Sequence, residues 1–67
     1  MALNYAYNYA EIDLETGMCF GVRTTTLQID DPALIPIPTD DDAYIFKFYH
    51  DGSWYEDAAF TIPWSLD

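Results

Sequence analysis

Between Leu3 and Leu14 the chain alternates. Leu3, Tyr5, Tyr7, Tyr9, Glu11 and Asp13 fall on one side, and Ala6, Asn8, Ala10, Ile12 and Leu14 on the other. A period of two predicts a strand. Glu15-Thr16-Gly17 then fit a three-residue hairpin loop ending in a left-handed glycine, and a second run follows from Met18 to Thr26. Closing the hairpin over those three residues sets Leu14 against Met18, Ile12 against Phe20, Ala10 against Val22 and Asn8 against Thr24, which makes one face apolar. The other face pairs Asp13 with Cys19, Glu11 with Gly21 and Tyr9 with Arg23, the last within reach of a cation–π contact. A slip of one residue mixes the two sets, so the pattern chooses its own register.

Leu27 to Ala43 contains Pro32, Pro36, Pro38 and the acidic clusters Asp30-Asp31 and Asp40-Asp41-Asp42, a composition of connections rather than internal strands. Alternating prolines favour an extended backbone, which would lay Leu34, Ile35 and Ile37 against a sheet edge. Asp31 followed by Pro32 also suits the cap and first position of one helical turn.

The second hairpin is written around Asp51-Gly52, a turn dipeptide flanked by apolar runs. A two-residue turn there pairs His50 with Ser53, Tyr49 with Trp54, Phe48 with Tyr55, Lys47 with Glu56 and Phe46 with Asp57. Phe60, Ile62 and Trp64 alternate with Thr61, Pro63 and Ser65, a short extended piece that Pro63 restricts to an edge. The predicted fold is therefore mostly β: one small domain over residues 1–67. Its antiparallel sheet comes from two hairpins, about 5–14/18–26 and 44–50/53–58, with a proline-rich connecting loop and a C-terminal extended segment that closes the core or reaches another subunit.

Composition sharpens this picture. A chain of 67 residues buries only about 60% of its unfolded surface, which leaves little margin of stability. Cys19 is the single cysteine and His50 the single histidine, so neither an internal disulfide nor a zinc site is available, and self-association remains as the stabilising device. Twelve acids against Arg23 and Lys47 give a formal net charge of −10, which repels nucleic acid. With 51% apolar and 18% aromatic residues the chain is nonetheless built to fold. No stretch reaches the roughly 18 apolar residues of a membrane span, and the N-terminus lacks the basic and apolar regions of a signal peptide.

The candidate chemistry is sparse. Acid–base catalysis needs two carboxylates in a shared cleft, whereas these acids fall at turns and in loops. The aspartates do not follow the spacing of a calcium loop, and His50 reads as an ordinary strand-end residue. Cys19, placed on the polar face opposite Asp13, has neighbours that oppose a reactive thiolate. No catalytic, metal-binding or cofactor-binding set emerges. The residues that stand out are aromatic. Tyr5, Tyr7 and Tyr9 line the face opposite the apolar one, to be covered by the long loop or by a partner, and Trp54 and Trp64 are of the type enriched at interfaces. Tyr49, Trp54 and Tyr55 also make a chemically suitable platform for a sugar, although Tyr49 and Trp54 already form the expected cross-strand pair.

Tyr9-Ala10-Glu11-Ile12, Gly17, Cys19-Phe20-Gly21-Val22, Ile35-Pro36-Ile37, Gly52 and Trp54 together form a pattern that resembles small β-hairpin modules of bacteriophage and prophage tail-associated structural proteins. The Asp40-Asp41-Asp42 run and the longer C-terminal tail depart from that pattern. The resemblance implies a non-enzymatic structural module of the tail or receptor-binding apparatus, assembled into virions in the bacterial cytoplasm. It would act by self-association and by docking to another virion protein. The partner or ligand surface read from the residues themselves is Tyr5, Tyr7, Tyr9, Tyr49, Trp54 and Trp64. Two other readings follow from the residues themselves: an acidic mimic of nucleic acid that inhibits a host DNA- or RNA-binding protein, and a module for a cell-surface glycan.

Overall fold

The computed structural model describes residues 6–66. Five strands form: β1 (Tyr7–Ile12), β2 (Cys19–Thr25), β3 (Leu34–Ile37), β4 (Phe48–His50) and β5 (Ser53–Tyr55), with one 3-10 turn at Asp42–Tyr44. They make a three-stranded antiparallel sheet in the order β2-β1-β3 and a two-stranded hairpin β4-β5. The fold is mostly β, as the alternation predicts. Both hairpins are present, with shorter strands than the sequence suggests.

β1 and β2 pair Asn8 with Thr24, Tyr9 with Arg23, Ala10 with Val22 and Glu11 with Gly21. The register then shifts, and Ile12 faces Cys19 instead of Phe20. Phe20 is the extra residue of a β-bulge. The loop correspondingly grows to four residues, Leu14 to Gly17, closed by the Asp13 N–H on the Met18 carbonyl at 2.9 Å and the Gly17 N–H on the Asp13 carbonyl at 2.6 Å. The expected pairs Leu14–Met18, Ile12–Phe20 and Asp13–Cys19 are thereby replaced. Packing supplies the reason. The bulky Tyr44 shares the core with Ala10, Ile12 and Ile37, and the small Cys19 thiol packs there beside it. Cys19 consequently leaves the polar face for the core, where it is 0% exposed, and Phe20 turns out to 56% exposure.

The proline-rich connection does contain a strand. β3 pairs Asn8 with Ile37, Tyr9 with Pro36, Ala10 with Ile35 and Glu11 with Leu34. The Ile12 N–H reaches the Ala33 carbonyl at 2.9 Å, so the even-numbered residues of β1 bond toward β3 and the odd-numbered toward β2. Pro36, opposite Tyr9, therefore has its missing N–H on the outer edge, where no ladder bond is lost. The strand is entered by one turn at Asp31-Pro32. The Leu34 N–H bonds the Asp31 carbonyl at 2.9 Å, and the Ala33 N–H bonds the Asp31 carboxylate at 2.9 Å.

The second hairpin keeps the expected register at Phe48–Tyr55, Tyr49–Trp54 and His50–Ser53. Asp51 and Gly52 take φ of 49° and 84°, the two positive values of a type I′ turn. The ladder stops before Lys47–Glu56 and Phe46–Asp57 because both flanks are engaged elsewhere. Lys47 and Phe46 bond to Cys19, and the Glu56 N–H bonds the Ile62 carbonyl at 2.8 Å. The C-terminal piece runs beside β5 through a Tyr55–Pro63 bridge and a Trp64 N–H bond to the Trp54 carbonyl at 3.0 Å. It closes the core of its own chain.

Gly17 to Cys19 join the two sheets. The Tyr49 N–H donates to the Gly17 carbonyl at 2.9 Å, the Cys19 N–H to the Lys47 carbonyl at 2.8 Å and the Phe46 N–H to the Cys19 carbonyl at 2.8 Å. Gly17 has φ of 80°, and a Cβ there would lie 2.5 Å from the Tyr49 carbonyl oxygen. Gly52, at φ 84°, has open space around it. Gly52→Ala should therefore cost roughly 1–2 kcal/mol from the left-handed backbone alone, and Gly17→Ala clearly more, because the joint must also move apart. Urea denaturation of both variants checks the order; equal losses would contradict it.

Candidate functional site

The aromatic residues singled out in the sequence divide into two groups. Tyr49, Trp54 and Trp64 converge around Tyr44, whose ring lies 5.1 Å from Trp54 at 65° and 5.1 Å from Trp64 at 77°. Tyr49 meets Trp54 at 5.2 Å and 62°. Such edge-to-face pairs add about 0.5–1.5 kcal/mol each beyond simple burial. The Lys47 ammonium sits 5.1 Å from the Trp64 ring centre, a cation–π contact in place of the expected pair with Glu56. Tyr49, Trp54 and Trp64 are all half-buried against the core. Their faces and edges serve one another, and no flat platform is left between Tyr49 and Trp54. Tyr55 leans instead toward Phe60, with centres 5.7 Å apart, and Phe60 stacks on His50 at 4.4 Å and 7°.

The tyrosine row forms the second group. Tyr9 is 2% exposed, and its hydroxyl accepts the Ile29 N–H at 2.8 Å. The long connection thus folds back over this face at Tyr9. Tyr7 is half-buried and lines a small cavity of about 220 Å³ with Tyr9, Gln28, Ile29 and Pro36. Tyr5 lies outside the described residues. Arg23, opposite Tyr9, directs its guanidinium to the Glu11 carboxylate at 2.9 Å.

Four of the twelve acids serve the chain's own backbone. Asp13 accepts the Glu15 N–H, Asp31 the Ala33 N–H and Asp41 the Ala43 N–H, each capping a turn. Asp57 holds the tail: its carboxylate accepts the N–H groups of Thr61 and Ile62, both at 2.9 Å, and the Thr61 hydroxyl. These bonds, the Thr61 hydroxyl first, lower the Asp57 pKa below its ordinary value. Among the described residues no group of three or more His, Cys, Asp or Glu is placed to hold a metal ion. Burial raises the Cys19 pKa, with a smaller push from Glu11, against the lowering effect of backbone hydrogen bonds. Its Sγ donates to the Gly21 carbonyl at 3.2 Å, and the thiol serves as core packing. Among the described residues no helix is long and apolar enough to cross a membrane.

What sequence reasoning missed is the set of large apolar side chains left outside. Leu14, Phe20, Leu27, Phe46 and Ile62 are all more than half exposed. Leu14 and Phe20 were assigned to the apolar face, and only the bulge, which no dipeptide announces, removes them from it. Comparison with protein-family profiles, curated proteins and solved structures finds no match to this chain.

The Asp57 clasp has a defined pH dependence. Its folded-state pKa is lowered, so its stabilising effect is fully present above the unfolded-state value of about 4 and is lost as pH falls through the folded value. Tryptophan fluorescence should report release of Trp64 in that acid range. Asp57→Ala should loosen the tail at neutral pH and abolish that step, and an unchanged acid profile in the variant would contradict the clasp.

Proposed function

We propose that this chain is a non-enzymatic structural module of a bacteriophage or prophage tail or receptor-binding apparatus, acting by self-association and by docking to another virion protein. The observation that carries the reading is the exposed set Leu14, Phe20, Leu27, Phe46 and Ile62 on a chain whose core is small. Apolar groups of this size at the surface favour protein contacts. The residues of the phage-module resemblance support the same reading from another side. Gly17 forms the joint, Cys19 to Val22 the bulged strand, Ile35 to Ile37 the edge strand, and Gly52 and Trp54 the second turn and its aromatic neighbour. The docking surface in this reading is drawn from the exposed apolar set, with half-buried Tyr7 as a further candidate. Tyr9, Tyr49, Trp54 and Trp64 act behind it as support. The site of action is the virion, after assembly in the host cytoplasm.

The two alternatives fare less well. A nucleic-acid mimic needs carboxylates free to imitate phosphates, and four of the twelve, those of Asp13, Asp31, Asp41 and Asp57, are occupied by backbone N–H groups. A glycan platform needs an open aromatic face at Tyr49, Trp54 and Tyr55, and those rings are engaged edge to face or tilted. An affinity-tagged chain offered a phage-containing bacterial lysate at low and at high salt discriminates between the readings. Retention of tail proteins at both salts is the expected result, because apolar contacts are not screened. Capture of a basic nuclease that high salt releases, with no virion protein, would contradict it.

A further inference from the structure

A hollow of about 650 Å³ opens between the 28–32 loop and the outer edge of β3, a volume within the range of small-ligand sites. It adjoins the smaller cavity beside Tyr7, with which it shares Ile29 and Pro36. Ile29, Pro32, Leu34 and Pro36 give it apolar walls, and Asp30 and Asp31 line it as well. The strand edge that forms one side presents acceptors alone. Ile35 and Ile37 spend their N–H and C=O groups on β1, so Leu34 and Pro36 turn theirs outward. The Leu34 N–H is taken by the Asp31 carbonyl, and Pro36 has no N–H to give. What β3 offers outward is therefore the carbonyls of Leu34 and Pro36, two residues and roughly 7 Å apart along the edge. Among the described residues no hydrogen bond reaches either of them.

These features narrow the occupant. An incoming β-strand needs donors as well as acceptors along the edge, and Pro36 withholds the donor. Asp30 makes no hydrogen bond or ion pair among the described residues, and Asp31 uses only its Oδ1 atom, on the Ala33 N–H. The chain does not neutralise these carboxylates itself. Its lysine and its arginine are committed elsewhere, Arg23 to Glu11 and Lys47 to the Trp64 ring. A bare divalent ion seeks a shell of oxygens on all sides, and the apolar walls deny it one. Carbonyls, carboxylates and apolar walls together suit a flat, weakly hydrated, donor-rich cation carried on an apolar stem. Guanidinium is such a group, with five donors in a planar fork, whereas an ammonium is strongly hydrated and has three.

We propose that the hollow between the 28–32 loop and β3 binds the arginine side chain of a peptide segment, its guanidinium held by the carboxylates and the free β3 carbonyls and its stem by Leu34 and the prolines. This goes beyond the reading above, which rests on the exposed apolar set, and its test needs no virion protein. In a heteronuclear NMR titration at low salt, a capped Gly-Arg-Gly peptide should shift the amides of Ile29, Asp30, Asp31 and Leu34 saturably. Counterparts with lysine or with neutral citrulline in place of the arginine should bind at least about fivefold more weakly. Asp30→Asn breaks no bond within the chain, so it should keep its spectrum elsewhere and weaken arginine binding about fivefold or more. Asp42→Asn removes the same charge from the 3-10 turn and should leave the affinity within about twofold. No saturable shift at these amides, equal losses in the two variants, or equal binding of the lysine or citrulline peptide would overturn the site. Saturation of the same amides by calcium, with none by the arginine peptide, would overturn it as well and give the hollow to a metal ion.

Discussion

The structure depends on three residues of backbone, Gly17 to Cys19, that are paired on both sides. Met18 and Cys19 belong to the first hairpin through Asp13 and Ile12. On the other side Gly17 and Cys19 bond Tyr49, Lys47 and Phe46 of the second hairpin's leading segment. A two-stranded hairpin is marginal by itself in water. Held against the bulged end of β2, the β4-β5 hairpin gains a third strand's worth of hydrogen bonds and a core to rest on. Gly17 permits this because only a residue without a Cβ lets the Tyr49 carbonyl approach so closely.

Around that joint the core is organised by Tyr44. It packs against Ala10, Ile12, Cys19 and Ile37 from the first sheet and against Trp54 and Trp64 from the second hairpin and the tail. One ring thus meets all three parts of the fold. Among the described residues no acid is buried in so small a core. Asp13, Asp31 and Asp41 cap turns at the periphery, and Asp57 fastens the tail that carries Trp64. The same packing accounts for what is exposed: Tyr44 and the thiol of Cys19 take the interior space that the alternation alone assigns to Phe20.

Much of this was legible in the chain. Asp51-Gly52 names its turn type and fixes Tyr49–Trp54, and the alternation around Ala10 fixes its pairing with Val22. Pro36 marks an edge and sits on one. The bulge was not legible, because strict alternation through Met18 to Val22 is equally well satisfied without it; the deciding term is the bulk of Tyr44, a non-local contact. Cys19 was placed on the wrong face for that reason alone. The aromatic surface shifted with it. Tyr9 lies under the loop and bonded to Ile29, while Phe20 and Phe46, which looked like ordinary strand residues, are the exposed rings.

The central claim is that Gly17 to Cys19 make the two hairpins one cooperative unit. Native-state hydrogen exchange of the Cys19, Phe46 and Tyr49 amides tests it most directly, because each spans the joint. If the account is right, these amides exchange only with global unfolding, at the same free energy as the Asp13 and Ile12 amides of the first sheet. If Phe46 and Tyr49 exchange through a separate, lower-energy opening while the first sheet stays protected, the hairpins are independent and the account fails.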